Sequence, residues 1–537
     1  MRHIIPIILV SCLSFYEVVA QTFPLVPLPA EIKQGTGVFT ITSATKIILK
    51  TNSDEVRKAC DLFLDIINPS TGLNIGYAPS SASSITVEID SLISHPEGYH
   101  LKVATRDISI KAQTPAGIFY AFQTLLQLLP PLIESRTRVS NRAWTIPVVE
   151  INDAPRFSYR GLMLDVVRHF FPVSDIKRYI DLMALHKYNY LQLHLTDDQG
   201  WRIEIPSYPR LQSVSAWRKE TLIGHLNDEP SQYDGIRHGG YYTKAELREI
   251  VQYAADRHIT IIPEIDLPGH ATALLAAYPE MACTGATFEV MREWGVFPNI
   301  LCPRENTFLF LDRILDEVMN IFPGKYIHIG GDEVPKEQWQ KSEYCYNLKI
   351  QNGLYTNEQL QTWFMRRIAQ HIQSHGRQVI GWDELLDGGN IEGATIMSWR
   401  GEEGGIAATG KGNYAIMSPS RYCYLNLYQA NRSVEQPLAE PGYLPLSIVY
   451  QYNPIPKELP VDQLPYILGT QGNLWTEYIP DMRQAEYMAY PRACALAEVA
   501  WTPVEKKSYP QFLNRLREHS KRLDTMNVNF ARLFMSN

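Results

Sequence analysis

The sequence predicts an α/β chain, a (β/α)8 TIM barrel preceded by a smaller α+β domain. Three observations predict it. From about residue 156, short apolar runs alternate with amphipathic helical stretches, the mark of a parallel β/α fold. Eight such runs occur, at 161–166, 190–195, 260–265, 326–329, 378–382, 395–399, 414–417 and 466–469. Polar or aromatic residues follow nearly every run, and the carboxyl ends of barrel strands are where such folds carry their chemistry.

In chain order, residues 1–20 read as a signal peptide. Met1-Arg2-His3 precedes an apolar run over 4–15 that is too short to span a bilayer, with Val18-Val19-Ala20 as the cleavage site. Leu9-Val10-Ser11-Cys12 offers a second processing point, which would leave a lipid anchor on Cys12. The regions before Cys12 are very short, which favours cleavage after Ala20. By either route the chain is expected to be exported, as a periplasmic or secreted protein or as an outer-membrane lipoprotein. No other segment is expected to span a membrane.

Residues 21–150 form the α+β domain. Strands are expected at 39–49, 84–89, 99–103 and 108–111, with helices at 54–67 and 116–129; the second stops at Pro130-Pro131. This domain has no catalytic constellation and reads as an accessory unit. The barrel occupies 156–505. A C-terminal segment, 506–537, carries one more helix over 508–523.

The 537 residues are 45% hydrophobic and 20% charged, an ordinary globular balance. A net charge of −7 without any basic block argues against nucleic acid as a partner. Of the seven cysteines, none forms a C-x-x-C pair, so no structural zinc site is expected. Cys283 and Cys302 are either a disulfide stapling their loop or two free buried thiols. There is no phosphate-cradling loop and no strong metal-ligand cluster, so neither cofactor nor metal is expected.

The most informative stretch is 326–333, Tyr-Ile-His-Ile-Gly-Gly-Asp-Glu. A buried-strand pattern stops at two glycines, and two carboxylates follow at once. Asp-Glu also occurs at Asp54-Glu55, Asp228-Glu229, Asp316-Glu317 and Asp383-Glu384. Placement distinguishes this pair, because charges at the end of a buried strand are paired or used. Other runs end in similar material: His194, Asp197 and Asp198 after the second, Asp266 and His270 after the third, and Trp382-Asp383-Glu384 at the fifth. Trp399-Arg400 close the sixth; Tyr424 and Asn426 follow the seventh, Trp475 and Glu477 the eighth.

Carboxylates ringed by tryptophans point to carbohydrate. Glycoside hydrolysis needs an acid at the leaving oxygen and a nucleophile or base on the opposite face. Glu333 suits the acid, and both Asp332 beside it and burial are expected to raise its pKa. Asp332 makes an awkward nucleophile, since adjacent Cα atoms lie about 3.8 Å apart. A substrate with a 2-acetamido group removes the difficulty. Its own carbonyl oxygen attacks the anomeric carbon, while Asp332 orients the amide N–H and stabilises the charge that develops there.

The octet resembles the His-x-Gly-Gly-Asp-Glu signature of glycoside hydrolase family 20, the β-N-acetylhexosaminidases, and the resemblance covers nearly the whole mature chain. Tyr159-Arg-Gly-Leu-Met-Leu-Asp-Val-Val-Arg-His-Phe170 resembles the family's first barrel strand, and Leu193-His-Leu-Thr-Asp-Asp-Gln-Gly-Trp-Arg202 its second. Pro263-Glu-Ile-Asp-Leu-Pro-Gly-His270 resembles its third. Gly381-Trp-Asp-Glu384, Ser398-Trp-Arg400, Tyr424-Leu-Asn426 and Asn473-Leu-Trp-Thr-Glu477 resemble its sugar-pocket motifs.

The resemblance implies a retaining, exo-acting enzyme that removes terminal β-linked GlcNAc or GalNAc from glycans. It implies Glu333 as general acid/base, Asp332 on the acetamido N–H, and Tyr424 on the acetamido carbonyl. Trp382, Trp399 and Trp475 would wall the N-acetyl group and the sugar faces, while Arg160, Asn426 and Glu477 would hold hydroxyls. Asp266 and His270 would form a relay to Glu333, with Asp197 and His328 behind. Arg160 precedes its strand, so pattern alone makes it structural; the resemblance reverses that reading. At Asn426 the family carries Asp or Asn, which leaves the C4 or C6 preference open. Trp144, Trp217, Trp339, Trp363 and Trp501 are expected to pack or lie at the surface, Trp201 and Trp294 to line the pocket mouth, and His169, His186 and His258 to be structural.

Alternatives are a disaccharide-releasing relative, a glycosidase whose nucleophile is Glu477 or Glu384, a glycan-binding protein without activity, and a metal-dependent hydrolase built on His194, His270, His328 and the carboxylates.

Overall fold

A computed structural model describes residues 23–431 and 436–535; the signal-peptide and Cys12 readings lie outside the described residues. Eight parallel strands close into a barrel. In chain order they are Tyr159–Asp165, Tyr190–His194, Thr260–Glu264, Tyr326–His328, Gln378–Trp382, Thr395–Ser398, Ala415–Met417 and Ile467–Leu474. Each is paired with its sequence neighbour, and the eighth closes on the first from Gly469↔Tyr159 to Leu474↔Leu164. All eight expected runs are therefore strands of one barrel. Their near-continuous apolar character follows from burial on both faces.

The helices between strands carry the signals that start them. Lys244–Ala255 opens with a capping box, Thr243 and Glu246 satisfying each other's backbone N–H, and buries Leu247, Ile250 and Ala254 along one face. Asn357–Ser374 begins the same way with Thr356 and Gln359. After the fifth strand the connection is only the 3-10 turn Asp383–Leu386 before the sixth strand begins. That short connection keeps Glu384 beside the strand ends.

The barrel interior is a separate apolar cluster, with Tyr159 and Tyr326 low and Trp382 and Trp475 high. A polar thread runs up through it. Tyr159 OH donates to Gln471 Oε1 (2.6 Å), Gln471 Nε2 to Gln192 Oε1 (2.8 Å), and Gln192 Nε2 to Glu264 Oε2 (2.8 Å).

The N-terminal domain is a seven-stranded mixed sheet. The single strand expected over 39–49 is two, Glu31–Ile41 and Thr45–Leu49, because a turn at Thr42 closes between them with Thr45 N–H donating to Thr42 O. The strand Trp144–Asp153 was not expected, and Pro147 within it is unusual for a central strand. Pro147 sits where the register with the first strand shifts between Gln34 and Val38, so its missing N–H breaks no regular ladder. The helix Pro115–Leu128 is buried nearly all round, as a helix pressed between its own sheet and the barrel must be.

Asp153, at the end of that unexpected strand, joins the two domains. Its carboxylate accepts from the buried Lys187 Nζ (3.0 Å), Tyr99 OH (2.6 Å) and Trp501 Nε1 (2.9 Å), and from the half-buried Ala30 N (2.9 Å). The final helix, Tyr509–Thr525, ties the two domains again. Arg515 forks onto Glu498 of the barrel (2.6 and 2.8 Å) and Arg522 pairs with Glu134 of the N-terminal domain. Asp153→Ala would leave the Lys187 ammonium buried and unpaired. It should cost about 3–5 kcal/mol, read as a lower midpoint in urea unfolding of the whole chain.

Candidate active site

A cavity of about 450 Å³ opens at the carboxyl ends of the barrel strands. Trp399, Tyr424 and Trp475 form its wall, Asp332, Glu333 and His270 one side, and Arg168, Asn426 and Glu477 another. Trp399 stacks near-parallel on Tyr424 at 6.0 Å, and its Nε1 donates to Glu384 (3.0 Å). The loop closed by the Cys283–Cys302 disulfide brings Trp294, Gly295 and Val296 to the mouth. That loop is also tied inward, Gln199 Nε2 donating to Glu293 O and Met291 N to Asp198 O.

The two glycines of the octet have separate reasons. Gly330 and Gly331 both take positive φ, 64° and 104°. A Cβ on Gly330 would stand 1.7 Å from Asp266 Oδ1, the same oxygen that accepts the Gly331 N–H at 3.2 Å. The strand end is thereby folded hard over Asp266. Glu333 then adopts φ 47°, and so does His270 across from it. Left-handed backbone in non-glycine residues costs on the order of 1–3 kcal/mol and clusters at functional sites.

This backbone turns adjacent carboxylates in different directions. The Asp332 side chain is 12% exposed and that of Glu333 42%. Burial, one of the two causes expected to act on Glu333, therefore acts on Asp332. Desolvation pushes Asp332 up to about 6, with Glu333 and Glu264 adding to the rise and His270 opposing it. Asp332 Oδ1 is buried without a hydrogen-bond partner in the protein, as are Asn426 Oδ1 and Glu477 Oε2.

Behind the pair lies a chain of alternating charge. His270 Nε2 stands 3.6 Å from Glu333 Oε2 and 3.9 Å from Asp332 Oδ2, while its Nδ1 faces Asp197 Oδ1 (3.2 Å) and Asp198 Oδ2 (3.1 Å). Asp197 Oδ2 also meets Arg168 (2.7 Å) and His194 Nε2 (2.8 Å), and His194 Nδ1 meets Glu264 Oε2 at 2.6 Å. Burial alone would depress both imidazoles, yet their carboxylate partners lift His194 and His270 well above the usual range.

Burial also raises the other carboxylates in the pocket. Glu384 reaches about 8, helped by Asp332 and Asp383. Glu477 reaches about 7, Arg168 opposing the rise and Asp165 and Glu440 reinforcing it.

Most of the expected residues meet here, with exceptions. Arg160 is a correction. It lies at the opposite end of the barrel, fully buried, forked onto Glu97 of the N-terminal domain (2.8 Å twice) and donating to the Lys187 and Phe157 carbonyls. Its place in the pocket belongs to Arg168, which follows the same strand and was passed over. Arg168 lies 3.7 Å from Glu477 and over the Trp475 ring. Asp266 is beside Asp332 but makes no hydrogen bond to His270, whose Nδ1 meets Asp197 and Asp198 instead. His328 is buried below, 3.1 Å from Glu264 and edge-on to Trp382. Trp382 is floor rather than wall, almost fully buried with Nε1 on Glu264 (3.0 Å). Trp201 is core, its Nε1 on Ile203 O.

Residues 157–504 match Glycosyl hydrolase family 20, catalytic domain, and residues 22–154 match Glycosyl hydrolase family 20, domain 2. The chain belongs to glycosyl hydrolase family 20 and is a glycoside hydrolase. A beta-hexosaminidase of Porphyromonas gingivalis is 44% identical over 94% of this chain, which spans 64% of that relative's length. One of Akkermansia muciniphila is 35% identical, covering 81% of this chain and 84% of the relative. Among solved structures, the beta-N-acetylhexosaminidase of Streptomyces coelicolor superposes with a TM-score of 0.83 at 32% identity, over 96% of this chain and 98% of that one.

The two arginines give opposite expectations. Arg168→Lys should lower kcat/KM at least about tenfold, since a point charge replaces a fork shared by Asp197, Asp165 and Glu477. Arg160→Lys should lower the melting temperature and leave kcat/KM within about twofold. Steady-state kinetics and thermal melts on both variants check the assignment.

Proposed function

We propose that this chain is an exo-acting, retaining β-N-acetylhexosaminidase that hydrolyses terminal β-linked GlcNAc or GalNAc by substrate-assisted catalysis. The observation that carries it is the unequal setting of the adjacent carboxylates. Asp332 is buried with an unpartnered oxygen beside an aromatic wall, and Glu333 stands exposed at the rim against His270. Streptomyces plicatus beta-hexosaminidase, 32% identical over 96% of this chain, has been solved with its product GlcNAc, which supports the choice of sugar.

Glu333 gives its proton to the glycosidic oxygen as the bond to the anomeric carbon breaks. The acetamido oxygen of the substrate forms the new bond to that carbon from the other face, giving a cyclised oxazolinium. Asp332 accepts the amide N–H, which sharpens the carbonyl as a nucleophile and balances the charge that develops. Glu333, now ionised, takes a proton from water, and the water opens the ring with net retention. Tyr424 and the tryptophans confine the N-acetyl group. Glu384, held protonated near neutral pH, is a poor carboxylate nucleophile, which counts against Glu384 in that role. The Cys283–Cys302 disulfide supports export to an oxidising compartment.

Glu333→Gln should lose about 10²–10⁴-fold in kcat on a disaccharide; normal turnover would overturn the acid assignment. A thiazoline mimic of the cyclised intermediate should inhibit strongly, and no inhibition at millimolar concentration would count against substrate assistance. Asp332 acts ionised and sits at about 6 in the free protein, so kcat/KM should fall as pH drops through about 6, as a kcat/KM–pH profile reads.

A further inference from the structure

The carboxylate of Glu264 sits at the end of the third barrel strand, beneath the pocket and with no exposed surface. It is surrounded by donors. Oε1 accepts from Trp382 Nε1 at 3.0 Å and lies 3.1 Å from His328 Nδ1; Oε2 accepts from Gln192 Nε2 at 2.8 Å and from His194 Nδ1 at 2.6 Å. A buried carboxylate with this many partners fixes each of them in orientation.

We infer that Glu264 is a positioning residue for the reaction. One oxygen holds the Trp382 indole under the pocket, and the other anchors the His194–Asp197–His270 chain that ends at Glu333. The inference rests on the reading of Glu333 as the acid/base. Trp382 is a single ring from the pocket wall, its centroid 6.0 Å from that of Trp475. His194 packs edge-on to Trp475 as well, at 4.9 Å. The two branches thus reconverge on the aromatic surface that faces the substrate. Along the other branch, His194 has no freedom to tilt, because both ring nitrogens are held by carboxylates. Asp197 is fixed by His194 and Arg168, and that fixes the Asp197 oxygen that meets His270 Nδ1. Burial alone would raise the Glu264 pKa, but His194 and His328 hold it well below the usual carboxylate range, so it remains an anion.

Glu264→Gln keeps the size and one acceptor for Trp382 but removes the charge that binds His194. The test compares Glu264→Gln and Glu333→Gln with the parent on two substrates: an activated aryl β-GlcNAc glycoside, which needs little protonation to leave, and a β-GlcNAc disaccharide, which needs it fully. Glu264→Gln should lose at least about tenfold in kcat on the disaccharide and less than about threefold on the aryl glycoside, with a far-ultraviolet spectrum like the parent's. Equal losses on both substrates, or none, would overturn the inference. If Glu333→Gln itself shows no such difference, the acid assignment fails instead, so the two failures are distinguishable. Should Glu264→Gln not fold, His194→Gln cuts the same branch one link later and should give the same split; an equal loss there overturns the inference too.

Discussion

Everything at this site depends on keeping several charges out of water at the top of one barrel. Isolated, each would cost several kcal/mol. Arranged as Glu264, His194, Asp197, then His270 and Arg168, and finally the Asp332–Glu333 pair, opposite signs alternate at 2.6–3.9 Å. The parallel barrel makes the arrangement reachable, because its strands end side by side. Glu264 pairs in register with both His194 and His328, one on each neighbouring strand. The setting of Glu333 therefore leans on strand register set well inside the protein.

The same crowding explains the unusual backbone. Asp332 and Glu333 are consecutive, yet only one of them faces the buried network squarely. The positive φ of Gly330, Gly331 and Glu333 supplies the turn. Gly330 has no room for a side chain against Asp266, and Glu333 accepts a strained conformation that a loop residue would avoid. The N-terminal domain and the last helix hold the opposite end of the barrel through Asp153, Arg160 and Arg522, leaving the upper face to the loops.

The barrel was legible because strands buried on both faces read as apolar runs, and all eight did. The octet, the tryptophans and Glu477 were legible because barrel chemistry sits at strand ends. Arg160 shows the rule at work in reverse. Position alone excluded it, and the residue that satisfies the rule, Arg168, stands at the far end of the same strand motif. The exposure of Glu333 was not readable, because it turns on the backbone angles of 330–333 rather than on residue type. Glu264 lay inside a quoted motif, but a glutamate among prolines and aliphatics reveals its four partners only once strands 190–194, 326–328 and 378–382 are side by side. The strand through Pro147 was hidden by a bulge that no local pattern marks.

In the mechanism we propose, the substrate's acetamido oxygen is the nucleophile and Asp332 manages its N–H. A series of aryl glycosides in which the N-acetyl methyl carries zero, one, two or three fluorines tests it most directly. Fluorine weakens the carbonyl oxygen as a nucleophile and hardly changes the sugar's shape. Along the series kcat/KM should fall steeply and steadily. A flat series would mean that a carboxylate of the protein attacks the anomeric carbon, and would contradict it.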